Sequence, residues 1–180
     1  KLENNFQLYL NHETYNFNAG FKSFETLNIS PSDRYQFILP YYKLDWFLDQ
    51  NFIPGTFNFS SDGANDLNNT NKLETSVIND LKYNSLDFFS KNGFKTKFNI
   101  NLKNLNSIGK SSTKYKSSPQ VEIVSLFNTE VSLPLIRNTK DYTNLLTPKF
   151  SFMFNPSDMK DYSSSDNKVN VDSIFANNRL

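Results

Sequence analysis

Between Gly93 and Asn104 the chain reads GFKTKFNINLKN, and its apolar and polar residues take turns. Phe94, Thr96, Phe98, Ile100 and Leu102 fall on one side of an extended chain, and Lys95, Lys97, Asn99, Asn101 and Lys103 fall on the other. Successive side chains of a strand point to opposite faces, so the alternation predicts a strand with one apolar and one polar face. The run exceeds the ~5–6 residues of most strands. It matches the ~9–11 residues with which a tilted strand crosses a bilayer. As a membrane wall, it would turn Phe94, Phe98, Ile100 and Leu102 to lipid and Lys95, Lys97, Asn99, Asn101 and Lys103 to a watery lumen. As a soluble strand, it would be one amphipathic strand of a β-sandwich, and this segment alone leaves both readings open.

The same period recurs along the chain. Phe6, Leu8 and Leu10 alternate with Gln7, Tyr9 and Asn11 in a first strand, and a tight turn at His12 and Glu13 leads to a second. There Tyr15, Phe17, Ala19 and Phe21 share a face. The turn chemistry of Asn28 to Asp33 precedes a third strand from Tyr35 to Trp46. Pro40 interrupts it, and because proline has no amide donor it predicts a bulge or an unpaired edge position. Thr56 to Ser60 starts a fourth strand, and Ser61 to Asn71 reads as a polar loop whose spacing does not match a calcium-binding loop. Leu73, Val77, Ile78 and Leu81 have helical spacing with Thr70 as a cap. Read by two, 73–83 is a strand, which the strand-like neighbours favour. Asn84 to Asn92 is a connection, Asn104 to Ser118 a polar loop, and Val121 to Leu133 another long alternating strand. Leu146 to Phe154 is the last strand, with Phe150, Phe152 and Phe154 facing lipid opposite Lys149, Ser151 and Met153.

These elements make an all-β chain, an antiparallel up-and-down meander of about eight strands. Connections at His12, Asp49 to Pro54, Asn84 to Asn92 and Pro134 to Asn144 would share one end. Those at Leu27 to Asp33, Ser61 to Asn71, Leu105 to Ser117 and Asn155 onward would share the other, and are longer or more polar on the whole. Short turns at one end and long loops at the other is the outer-membrane barrel arrangement.

Composition narrows the picture. The chain has 180 residues with 18 Phe, 9 Tyr and one Trp, too aromatic for a disordered segment. Mean hydropathy is −0.57, and no apolar run approaches the ~20 residues of a membrane helix. A polar average still suits membrane strands, because half of each strand faces water. The net charge of +1 is made of mixed charges and gives no footprint for nucleic acid. The lysines Lys110, Lys114 and Lys116 read as a solvated loop or as an attraction to anionic headgroups or sugars. No cysteine is present, and His12 is the one histidine, so neither a thiolate nor a metal-ligand motif appears and no cofactor is expected. No nucleophile elbow, paired carboxylates or phosphate cradle is found, which argues against an enzyme. Asn28-Ile29-Ser30 and Asn58-Phe59-Ser60 match the glycosylation triplet, as an Asn-rich chain does by chance. The chain opens on polar Lys1 to Asn5 without Met or signal peptide and closes on Asn178-Arg179-Leu180, so an internal piece of a longer protein is expected.

Leu146-Thr147-Pro148-Lys149-Phe150-Ser151-Phe152-Met153-Phe154, then a polar loop, then Val171-Asp172-Ser173-Ile174-Phe175-Ala176-Asn177-Asn178-Arg179-Leu180, resembles the middle of the barrel of the LPS-assembly LptD (OstA) family. In that family a strand beginning Leu-x-Pro and a loop precede an Asp-Asn-Arg-Phe-like tetrapeptide; here Asn177 and Leu180 stand in for its Asp and Phe. Ile38-Leu39-Pro40-Tyr41-Tyr42 and Ser117-Ser118-Pro119-Gln120-Val121 resemble Leu-Pro strand entries of the same barrel. The resemblance implies a partial barrel domain over 1–180, without the family's N-terminal jelly-roll, cysteines or closing strands. It implies a non-catalytic role in the bacterial outer membrane. The barrel, plugged by an LptE-like lipoprotein, would receive lipopolysaccharide from a periplasmic transport bridge and place it in the outer leaflet. Two other readings stay open: another outer-membrane barrel, such as a small adhesin or porin-like protein, and a soluble β-sandwich binding module.

Overall fold

A computed structural model describes residues 1–27, 34–48, 53–69 and 71–157. In chain order its strands are β1 (Leu2–Asn11), β2 (Tyr15–Glu25), β3 (Tyr35–Leu48), β4 (Gly55–Asn68), β5 (Lys72–Ser85), β6 (Phe88–Phe89), β7 (Lys95–Lys110), β8 (Gln120–Ser132), β9 (Leu135–Asn138), β10 (Thr143–Leu146) and β11 (Lys149–Phe154). One nine-stranded sheet runs β1-β2-β3-β4-β5-β7-β8-β11, with β6 paired to β7, while β9 and β10 form a separate hairpin. All pairs are antiparallel. The meander is open, with β1 and β11 at its two edges among the described residues.

Several expectations change. The supposed loop from Ser61 is the second half of β4, which continues to Asn68, and the supposed loop from Asn104 is the end of β7, which continues to Lys110. Both stretches were hidden because they are polar on both faces; the backbone ladder to β5 holds them extended regardless. The segment 73–83 is strand and not helix, since β5 pairs along its length with β4 on one side and β7 on the other. The β4–β5 connection therefore shrinks to 69–71, and the contrast of short turns with long loops disappears. Leu146 ends β10, so the last strand begins only at Lys149, after Pro148. Phe94 precedes β7, in a turn where its amide donates to Ser90 Oγ at 3.1 Å. Pro40 does sit at an irregularity: the β3–β4 register shifts between Ile38 and Tyr41.

Residues directly opposite on antiparallel neighbours share a face, so the register sorts every strand. One face carries Phe6, Leu8 and Leu10 of β1, Phe17 of β2, Leu44 and Trp46 of β3, Phe57 and Phe59 of β4, and Leu81 and Tyr83 of β5. It continues through Phe98, Ile100 and Leu102 of β7, Phe127 of β8, and Phe150, Phe152 and Phe154 of β11. Among the described residues of these strands, its charged side chains are Glu25 and Lys110, each at a strand end. No hydrophobic residue is buried among those described, and the buried polar side chains are Ser61, Ser85, Ser107, Asn128 and Ser132.

A polar ladder interrupts the apolar face. Ser61, Asn79 and Asn104 stand opposite one another on β4, β5 and β7. Tyr42 and Ser61 share a hydrogen bond of 3.1 Å between their hydroxyls, Ser61 Oγ donates to Asn79 Oδ1 at 2.8 Å, and Asn79 Nδ2 donates to Asn104 Oδ1 at 3.1 Å. Asn106 Nδ2 joins the same oxygen at 2.6 Å. The Tyr42 ring lies over Gly63, its register partner, where a Cβ would collide with it. Asn79→Ala removes the middle of the ladder and leaves the Ser61 hydroxyl to Tyr42 alone, which with two hydrogen bonds lost should cost about 1–3 kcal/mol. Asn144→Ala on the exposed β9–β10 hairpin should change stability by less than about 0.5 kcal/mol. Urea unfolding followed by the fluorescence of Trp46 measures both, and equal midpoints would show that the ladder stabilises nothing.

Candidate functional site

The candidate site is the sheet itself, a surface with two chemistries. Alternation puts Lys95, Lys97, Asn99, Asn101 and Lys103 on the face opposite Phe98, Ile100 and Leu102, and Lys149, Ser151 and Met153 opposite Phe150, Phe152 and Phe154. The apolar group is open to the surroundings: Phe150 is 65%, Phe152 56% and Phe154 52% exposed. An apolar face carried across eight strands with no hydrophobic residue buried among the described ones is the kind of surface that marks an interaction site.

Cross-strand pairing organises the polar face electrostatically. Lys103 Nζ lies 3.9 Å from Asp80 on β5, and Lys149 Nζ lies 3.3 Å from Glu130 on β8. Lys95 reaches Asp87, just before β6, at 2.8 Å, while Lys43–Asp45 and Lys72–Glu74 pair along single strands at 3.7 and 3.0 Å. Lys97 stands opposite Glu130 in the register. Between β7, β8 and β11 this face dips into a basin of ≈ 680 Å³ whose lining includes Lys95, Lys97, Asn99, Glu130 and Lys149. Asn18 Oδ1, the Tyr41 hydroxyl, Asn58 Oδ1 and Asn99 Oδ1, all on this face, have no protein partner. Polar atoms left so call for a water or other polar partner.

The remaining sequence candidates are peripheral. His12 lies in the β1–β2 turn, its Nδ1 3.0 Å from Thr14 Oγ1 and its ring stacked on Tyr15. Asn58 lies inside β4, on the polar face. The loop with Lys114 and Lys116 is tied to β5 by Ser112, whose hydroxyl donates to Glu74 Oε1 at 2.6 Å. In that loop the Tyr115 side chain beside Lys114 raises its pKa above the ordinary lysine value. Among the described residues no His, Cys, Asp and Glu group has the makings of a metal site.

Of the segments that carry the family resemblance, Pro119 directly precedes β8 and Pro148 directly precedes β11, as strand entries would. Leu39-Pro40 is internal to β3, at its bulge, and is not an entry. Val171 to Leu180 lies outside the described residues, as do Asn28 to Ser30, the turn around them and the Thr70 cap. Sequence reasoning missed the ladder of Ser61, Asn79 and Asn104, because hydrophobic periodicity registers polar residues on an apolar face as breaks. The signal that finds them is their common register position once β4, β5 and β7 are aligned. Compared with known proteins, the chain matches no family model and no curated protein sequence.

Proposed function

We propose that the sheet is part of the wall of a transmembrane β-barrel of the outer membrane, its phenylalanine face towards lipid and its lysine and asparagine face towards a watery lumen. The observation that carries this reading is the lack of any buried hydrophobic residue in a sheet whose large apolar side chains gather on one face. Such a face needs an apolar environment along its whole extent, and a bilayer supplies one without a second protein layer. The cargo follows from the resemblance to the LPS-assembly family. Lipopolysaccharide would pass with its sugars and phosphates along the polar face and its acyl chains in an apolar environment, served by a lipoprotein plug and a periplasmic bridge. These residues would be wall and not catalyst.

Two substitutions next to each other test the facing. Arginine at mid-bilayer on the lipid side of a barrel costs roughly 2–4 kcal/mol, whereas a lumen site accepts it. Phe98→Arg should lower the yield of folded barrel, read by heat-modifiable gel mobility, and Asn99→Arg should leave it near wild type. Equal tolerance, or the reverse order, would overturn the assignment of faces.

The cargo is tested separately. A photo-activatable phenylalanine analogue at Lys97 or Asn101 should cross-link to lipopolysaccharide in living cells, and one at Ile136 on the β9–β10 hairpin should not. Adducts at neither lumen site would remove lipopolysaccharide as the cargo while leaving the barrel.

A further inference from the structure

The apolar stretch changes position from strand to strand, and the change is systematic. On β1 it is Phe6, Leu8 and Leu10, centred on Leu8; on β11 it is Phe150, Phe152 and Phe154, centred on Phe152. Register carries Leu8 through Ala19, Tyr42, Gly63, Val77 and Asn106 to Val121 on β8. Phe152 instead pairs with Thr129, which is 129 − 121 = 8 residues further along the same strand. On β2, β4 and β7 the larger apolar side chains follow the drift, while β3 at Tyr35 and Phe37, β5 at Leu73 and Val77, and β8 at Val121 and Ile123 carry apolar residues past it. One register row is apolar at Leu10, Phe17 and Leu44 but polar at Ser61, Asn79 and Asn104. Another, four residues along, holds Phe57, Tyr83, Ile100, Phe127 and Phe154.

The drift is about one residue for each step between neighbouring strands. With a rise of ~3.4 Å per residue and ~4.8 Å between strands, that slope corresponds to a band inclined by about 40° to the perpendicular of the strands. Membrane barrels tilt their strands by roughly 35–45° from the bilayer normal. A flat slab of lipid meeting tilted strands draws a band of that slope across their register.

We infer that the bilayer contacts this sheet along the diagonal from Leu8 to Phe152, so that residues at one membrane depth are those on the diagonal and not those in one register row. This rests on the barrel-wall reading and adds the tilt and the depth of individual side chains. Leu8, Phe17, Ile100 and Phe152 lie at mid-bilayer. Ser61, Asn79 and Asn104 climb away from it in that order, towards the lipid headgroups, and Asn106 lies beyond them. Val121 and Ile123 prolong the apolar side of β8 past the band and lie at the depth of this polar shoulder.

The 180 residues hold no cysteine, so an introduced cysteine is the one thiol within them, and the parent without it, labelled in parallel, sets the background. Leu8→Cys, Phe152→Cys, Asn106→Cys and Asn99→Cys are labelled in the full-length protein folded into phosphatidylcholine vesicles, with folding of each verified by heat-modifiable mobility. Phe17→Cys, Ile100→Cys and Asn104→Cys form a second set in case an edge-strand variant does not fold. Quenching by lipids brominated near the chain ends should be strong and equal at Leu8 and Phe152, and equal at Phe17 and Ile100. It should be weak at Asn106 and Asn104, and lost at Asn99. Equal quenching of Leu8 with Asn106, and of Phe17 with Asn104, would overturn the diagonal while leaving the wall in the membrane. Absence of quenching at every site on the phenylalanine face would overturn the diagonal and the barrel-wall reading together.

Discussion

Everything in this molecule depends on a single-layer sheet having no core. In most domains of this length two layers bury their apolar faces against each other. Here the order rests on backbone pairing between neighbouring strands and on side-chain contacts across them, and no hydrophobic side chain is buried among the described residues. Burying a side chain such as Leu or Phe contributes about 1.5–3 kcal/mol, and here that contribution is unrealised within the chain. The sheet is therefore half of a physical system, and whatever covers the phenylalanine face supplies the other half.

The two faces answer different requirements. The polar face pairs its charges locally, across strands at Lys103 with Asp80 and at Lys149 with Glu130, and along a strand at Lys72 with Glu74. No block of one sign forms, so the face repels neither its own strands nor water. The unpartnered oxygens of Asn18, Asn58 and Asn99 add the same requirement for solvent. On the other face, charge is confined to the ends of β2 and β7, where Glu25 meets Arg34 at 2.5 Å. A soluble sandwich strand would accept this alternation too. What separates the two is the layer that covers the apolar side of the eight strands, and among the described residues no hydrophobic side chain is buried there.

Period-two alternation made β1, β2, the first half of β7, β8 and β11 legible, because burial on one side leaves a mark in sequence at every second residue. It also made legible which of their side chains share a face, and the bulge at Pro40 followed from the missing amide. The method failed where its premise failed. In Ser61 to Asn68 and Asn104 to Lys110 both faces are largely polar or small, so nothing separates a strand from a loop except the partner strand. In β5, Val77 and Ile78 point to opposite faces, and two adjacent apolar residues imitate a helical stripe. The β9–β10 hairpin was unreadable for a third reason: its strands are four residues each, too short to show a period. The ladder of Ser61, Asn79 and Asn104 joins residues far apart in sequence, and only the register brings them together.

The ladder and the apolar band answer one difficulty from opposite sides. Within lipid no water competes for backbone N–H and C=O groups, so strand pairing there is protected by the medium. β4, β5 and β7 are 14, 14 and 16 residues long, more than the ~9–11 that a crossing requires. On the barrel-wall reading, their surplus lies beyond the hydrocarbon, where water does compete and pairing needs other support. Side-chain bonds between strands lead towards it: Ser61 to Asn79 and Asn79 to Asn104 on the way out from the band, and Thr75 to Asn65 at 2.7 Å furthest along. On the opposite side of the band, Phe57 and Tyr83 meet ring to ring at 4.6 Å and Phe88 meets Phe98 at 5.9 Å. On the same reading, the change from aromatic contacts to amide ladder along one set of strands would follow the passage from lipid towards the headgroups.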